Sequence, residues 1–211
     1  MNKVKTMNIA LIGYGFVGKT FHAPLIQSVD GLKLAVVSSR DEEKVKRDLP
    51  DVLVVATPEE AIQHPDIDLV VIASPNATHA PLATLALNAG KHVVVDKPFT
   101  LDMQEARDLI ALAQEKQRLL SVFHNRRWDS DFLGIKQVIE QGSIGKVKHF
   151  ESHIDRFRPE VRVRWREQNV PGSGLWFDLG PHMIDQTLQL FGLPLSVQGN
   201  IATLRDGAEI N

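Results

Sequence analysis

The chain has 211 residues, 43% hydrophobic and 24% charged, a balance that builds packed cores and excludes intrinsic disorder as the organising state. A formal net charge of −2 gives no global attraction to nucleic acid or to an anionic membrane, so any anion is held locally. Cysteine is absent, which removes disulfide frameworks and thiolate zinc sites.

The chain opens without the charged-then-apolar pattern of a signal peptide, and its longest apolar runs, near 69–73 and 92–96, are far too short to span a bilayer. The expectation is a cytoplasmic protein with a small-molecule partner and neither nucleic acid nor membrane as a target.

Short runs of Val, Ile and Leu at 7–12, 33–38, 52–55, 69–73, 92–95 and 119–123 predict buried strands. Segments with helical spacing lie between them, clearest at 102–117, where Ala106, Leu109, Ile110 and Ala113 form one stripe. This alternation predicts a Rossmann-type α/β domain over 1–124, a doubly wound parallel sheet.

The first strand runs directly into GYGFVG, so that Gly13, Gly15 and Gly18 take the dinucleotide-binding spacing, with Tyr14, Phe16 and Val17 between them. The first glycine permits a tight turn, the second admits a pyrophosphate to the backbone, and the third lets helix and strand pack closely. At the end of the second strand, Ser38, Ser39 and Arg40 stand where an NAD site usually carries an acid. Hydroxyls and a guanidinium suit a 2′-phosphate, so NADP is the expected cofactor; Asp41, one residue later, keeps NAD open.

The fourth strand ends in SPNATH, which brings Ser74, Pro75, Asn76 and His79 to the cofactor edge. Asn76 reads equally as the N-cap of the following helix. The fifth strand ends in VVVDKPF, and Lys97 emerges at that same edge, where a partly desolvated lysine suits orientation of a substrate hydroxyl.

After Phe123 the style changes. A helix is expected over 129–141, ended by Gly142, and strands over 146–156 and 195–204. These predict the start of an α+β domain over 125–211 with an open, largely antiparallel sheet. No closing helix or strand is evident before Asn211, so this second domain is expected to be incomplete.

His149, Glu151, His153 and Asp155 alternate along the first of those strands, which reads as a solvated face rather than a metal site. Arg126, Arg127, Arg156, Arg158, Arg162, Arg164 and Arg166 are interleaved with Asp129, Asp131, Asp155, Glu160 and Glu167. That mixture predicts a salt-bridged face rather than a nucleic-acid surface.

The stretch GSGLWFDLGPHMID at 172–185 places Asp178, His182 and Asp185 on one side of a helix, with Pro181 either in its first turn or kinking it. No H-E-x-x-H signature accompanies them, and a metal is not expected. A catalytic pair and a plain solvated face both remain open on the residues alone.

The order GYGFVG, SPNATH, AGKHVVVDKPF, HNRRWDSDF and GLWFDLGPH, from residue 7 to about 192, resembles the Gfo/Idh/MocA family of NAD(P)-dependent oxidoreductases. HNRRWDSDF and SHIDRFRP are further similar to a subgroup that includes NADP-dependent scyllo-inositol dehydrogenases. The resemblance implies catalytic roles for Lys97, Asp178 and His182, with Asp96 where the family usually has glutamate and Gly172 and Gly174 ahead of the aspartate.

It also implies hydride transfer between NADP and a secondary alcohol of a sugar or cyclitol, an inositol-like polyol above all. Arg156 and Phe157 are the implied substrate contacts, and Asn125, immediately after the last strand of the first domain, is a further expected one. Homo-oligomers through the second-domain sheet are expected where that sheet is complete. The alternatives are a non-catalytic nucleotide-binding regulator and an inactive truncated form.

Overall fold

The computed structural model describes residues 6–210. The chain divides into two compact units, one ending at Phe123 and the other beginning at His124.

The first unit is built on six parallel strands: β1 (Met7–Ile12), β2 (Leu32–Ser38), β3 (Leu53–Val55), β4 (Leu69–Ile72), β5 (His92–Asp96) and β6 (Leu120–Phe123). Their order in the sheet is β3-β2-β1-β4-β5-β6, the doubly wound arrangement in which the winding reverses beside β1. Successive side chains on β1 face opposite ways. Ala10 and Ile12 enter one core with Val70, Ile72, Val93 and Val95, whereas Ile9 and Leu11 enter another with Leu34, Val37 and Val71. Both faces are covered, which is why the strands read as continuous apolar runs rather than alternating ones.

The helices are α1 (Ala23–Ser28, continuing from a π turn at Gly18–His22), α2 (Glu42–Asp48), α3 (Pro58–Gln63), α4 (His79–Asn88) and α5 (Met103–Lys116). Their starts are coded locally. The Thr57 hydroxyl accepts from the Glu60 amide while the Glu60 carboxylate accepts from the Thr57 amide, a reciprocal box that satisfies two otherwise orphaned donors of α3. Asp102 accepts from the amides of Gln104 and Glu105 at the start of α5. Ahead of α4 the sequence-based reading of Asn76 as the cap is corrected. A 3₁₀ turn over Asn76–Thr78 comes first, so Pro75 takes the position before the turn and Thr78 the position before α4.

The second unit contains α6 (Ser130–Glu140) and α7 (Gly174–Phe191), with 3₁₀ turns at Asn125–Trp128 and Trp165–Glu167. Gly142, at φ 68°, lies just beyond α6, as a left-handed stop requires. Pro181 neither starts nor ends α7. The helix runs through it, without the amide bond that any other residue there would donate to Phe177.

The expected antiparallel sheet is not found among the described residues: 146–156 and 195–204 carry no strand. Alternation specifies which face of a strand is wet, but a strand also needs a neighbour to take its backbone hydrogen bonds, and among the described residues neither segment pairs with one. Among the described residues no helix is long and apolar enough to cross a membrane.

Candidate active site

The geometry begins with register. Ile12 pairs with Ser38 on one side and with Ile72 on the other, and Ile72 pairs with Val95. The chain therefore leaves β1, β2, β4 and β5 at nearly the same level, and the Gly13 loop, Ser39–Arg40, Ser74–Asn76 and Lys97 all sit on the carboxyl edge of the sheet.

Gly13 has φ 94°, and a Cβ there would stand 2.6 Å from the Ala73 carbonyl oxygen; one on Gly18 would stand 2.1 Å from the Gly13 oxygen. Side chains are excluded at both positions. A Cβ on Gly15 would meet nothing within 4 Å, so the loop is closely packed behind and open in front. The Gly13 amide donates to the Ser38 carbonyl and fixes the loop to β2. An open, glycine-walled edge at a helix start fits a pyrophosphate.

Tyr14 does not face outward. Its ring is 5% exposed, and its hydroxyl donates to Asp48 at 3.3 Å. Lys19 Nζ meets the same Asp48 oxygen at 2.7 Å. Burial first, and then the Asp48 charge, push the Tyr14 phenol up to about 12, while the Lys19 contact above all holds the Asp48 carboxyl below its ordinary range. Tyr14 thus offers a cofactor its backbone only. Phe16 is exposed and meets Phe21 edge-on at 5.9 Å, and Val17 is half-buried.

Ser38 is buried, Ser39 half-buried and Arg40 exposed. The Ser39 hydroxyl accepts from the Asp41 amide at 3.1 Å. The Asp41 carboxylate accepts from the Lys44 amide at 2.9 Å and caps α2.

On the next loops, the Ser74 and Thr78 hydroxyls are 2.6 Å apart, and Asn76 is buried. Lys97 is half-buried, and its amide donates to Asp96 at 2.8 Å. His79, 1% exposed, places Nδ1 at 2.7 Å from the Pro98 carbonyl and Nε2 at 3.0 Å from the Ser74 carbonyl. Its ring is engaged by the protein on both sides.

In the second unit, Asp178 and His182 lie four residues apart on α7, the latter 7% exposed. Arg166 Nε stands 3.9 Å from Asp178, and the Arg166 guanidinium lies 4.6 Å from the centre of the Trp165 ring. Asp185 is held by Arg127 through two hydrogen bonds, so it serves as a structural acid. Glu167 is 7% exposed between Arg164 and Arg205; burial pushes its carboxyl up, and the two guanidinium groups outweigh that and leave it lowered. Asn125 opens a 3₁₀ turn, whereas Arg156 and Phe157 lie exposed outside any regular element. No group of three or more metal-ligating side chains is present among the described residues.

Sequence reasoning passed over His22, Asp48 and Lys19. His22 is 3% exposed, its ring centre lies 4.2 Å from that of Phe123, and its Nε2 has no hydrogen-bond partner among the described residues. The spacing of His22 after Gly18 was legible; its burial was not.

Residues 7–124 match the model of an oxidoreductase family with an NAD-binding Rossmann fold, and residues 132–211 match the GFO/IDH/MocA C-terminal domain. The chain is 59% identical over 203 residues to the uncharacterized oxidoreductase YdgJ of Escherichia coli, which covers 96% of this chain and 59% of that protein. It is 43% identical over 207 residues to the scyllo-inositol 2-dehydrogenase (NADP(+)) IolW of Bacillus subtilis, covering 98% and 58%. A solved oxidoreductase-type structure from Klebsiella pneumoniae superposes with a TM-score of 0.90 at 86% identity, covering 98% of this chain and 58% of that one. The chain spans less than two thirds of the length of these relatives.

Proposed function

The chain belongs to the GFO/IDH/MocA oxidoreductase family, and from that premise we propose that it works as an NADP-dependent dehydrogenase on a secondary alcohol of a sugar or cyclitol, with an inositol-like polyol as the leading substrate. The observation that carries this reading is the shared level at which the glycine loop, the Ser74–Asn76 loop and Lys97 leave the sheet. A nucleotide on the glycine loop lies along that edge, as ligands of open α/β sheets do. The similarity to IolW supports the choice of substrate.

The bound nicotinamide supplies the two-electron redox chemistry, and the protein supplies binding, orientation and proton handling. In this reading Lys97 donates a hydrogen bond to the substrate oxygen and stabilises the charge that develops there. His182 takes the hydroxyl proton, and Asp178 orients the substrate or the imidazole. These three roles rest on the family resemblance. Arg156 and Phe157 are proposed substrate contacts on the same ground, and Asn125 by its place just after β6.

NADP is favoured over NAD because Ser39 and Arg40 stand at the end of β2, while Asp41 is engaged in capping α2. Assembly into homo-oligomers through the second unit and a cytoplasmic location belong to the same proposal.

The test is an assay of the full chain with NADP or NAD and a panel of inositols and aldoses. Cofactor reduction is expected, and His182→Ala is expected to lose roughly 100-fold or more of the rate while still binding NADPH. A His182→Ala variant that turns over normally overturns the role of His182. NADPH binding with no turnover of any polyol overturns the dehydrogenase reading in favour of a nucleotide-binding regulator.

A further inference from the structure

The loop bearing Asn76 and the loop bearing Lys97 leave different strands, and a single side chain reaches both. His79 begins α4, faces inward, and is 1% exposed. Its Nδ1 lies 2.7 Å from the carbonyl oxygen of Pro98, the residue after Lys97, and its Nε2 lies 3.0 Å from the carbonyl oxygen of Ser74, two residues before Asn76. An imidazole donates from one ring nitrogen when neutral and from both when protonated, and its two nitrogens reach opposite ways in one plane, so the ring faces both carbonyls at once.

We propose that His79 is a positioning residue that ties the Ser74–Asn76 loop to the Lys97–Pro98 loop and so presents Asn76 and Lys97 to the nucleotide as one platform. This inference rests on the nucleotide site of the function proposed above. It departs from the sequence expectation of a direct cofactor contact, because both ring nitrogens are turned toward protein carbonyls. The Ser74 loop is braced a second time, since Thr78 Oγ1 donates to the Pro75 carbonyl at 2.7 Å and meets Ser74 Oγ at 2.6 Å. The Lys97 side has the Asp96 carboxylate on the Lys97 amide. His79 joins the two loops directly, through the Pro98 carbonyl on one and the Ser74 carbonyl on the other.

The two ties are separable by isosteric replacement. An asparagine amide nitrogen occupies nearly the place of Nδ1, and a glutamine amide nitrogen nearly that of Nε2, so His79→Asn keeps the Pro98 tie and His79→Gln keeps the Ser74 tie. Full-chain His79→Ala, His79→Asn and His79→Gln are compared with the parent by NADPH fluorescence titration and by hydrogen–deuterium exchange over 73–78 and 96–99, with α5 as the internal control.

His79→Ala is expected to weaken NADPH binding at least fivefold and to raise exchange in both loops while α5 stays protected. His79→Asn restores protection at 96–99 only, and His79→Gln at 73–78 only. With an active polyol, His79→Gln lowers kcat more than it raises the KM for NADP, because the Lys97 side is the one released. Parent-like NADPH affinity and exchange in His79→Ala, or identical patterns in His79→Asn and His79→Gln, overturn the proposal. Absence of polyol turnover in the parent strikes the dehydrogenase reading and leaves the exchange readout intact.

Discussion

Arg127 and Asp185 grip each other across 58 residues of chain, Nε on one carboxylate oxygen and Nη2 on the other. The pair joins the 3₁₀ turn at Asn125–Trp128 to α7, and Gln186 adds a bond to the Arg126 carbonyl at 2.9 Å. The planar fork of arginine makes both bonds at once, which lysine cannot do. Arg127 is partly exposed and screened by solvent, so Asp185→Asn is expected to cost about 1–2 kcal/mol in urea unfolding. Arg127→Lys should lose most of that amount despite keeping its charge. A full-stability Arg127→Lys would show that charge alone sustains the contact.

The glycine loop makes opposite forecasts for two neighbouring glycines. Gly18→Ala puts a methyl group 2.1 Å from a backbone oxygen that has no flexible end to move aside. A loss of about 1–3 kcal/mol is expected from overpacking, visible as a lower Tm without nucleotide. Gly15→Ala meets nothing within 4 Å, so its Tm should match the parent. Its NADPH affinity should fall about tenfold, near 1.4 kcal/mol, because the methyl group enters the space the pyrophosphate needs. Equal behaviour of the two variants would refute the assignment of a closed back and an open front.

Burial depresses the His22 imidazole to about 4 from its ordinary 6.5. The folded state therefore binds the proton more weakly than the unfolded state. The stabilisation is fully present above pH 6.5 and is lost as pH falls toward 4, amounting to about 3 kcal/mol over that window. Urea midpoints between pH 6.5 and 5 should decline more steeply for the parent than for His22→Gln. Parallel slopes would mean that His22 is solvated.

At the end of β2, Arg40 is exposed and Asp41 is engaged by the Lys44 amide. Arg40→Ala is expected to raise the KM for NADP about tenfold, the worth of one charge-assisted contact, and to leave the KM for NAD nearly unchanged. Equal effects on both nucleotides would remove the argument for a 2′-phosphate at this turn.

The first unit was legible because local signals and packing agree there. Both-faced burial makes β1, β4 and β5 read as apolar runs, and Asp102 and the Thr57–Glu60 box mark helix starts in the sequence itself. What stayed hidden depends on contacts between distant positions. Nothing local announces that Tyr14 turns inward to Asp48, or that His79 spans two carbonyls nineteen and five residues away. In the second unit, Asp178, His182 and Asp185 do share α7, and nothing local announces that Arg127, 58 residues away, grips Asp185. The strands expected at 146–156 and 195–204 failed for a different reason: alternation is a property of one segment, and a sheet is a property of several.

Asp48 receives Tyr14 and Lys19, two residues of the glycine loop and the turn after it, on a single oxygen. A loop fastened there surrenders little configurational entropy when a ligand arrives. Calorimetry of NADPH binding should accordingly show a modest heat-capacity change, set by the apolar surface the nucleotide covers and not by folding of the loop. Its association should be a single fast phase, and loosening the fastening by Asp48→Ala should add a slow one.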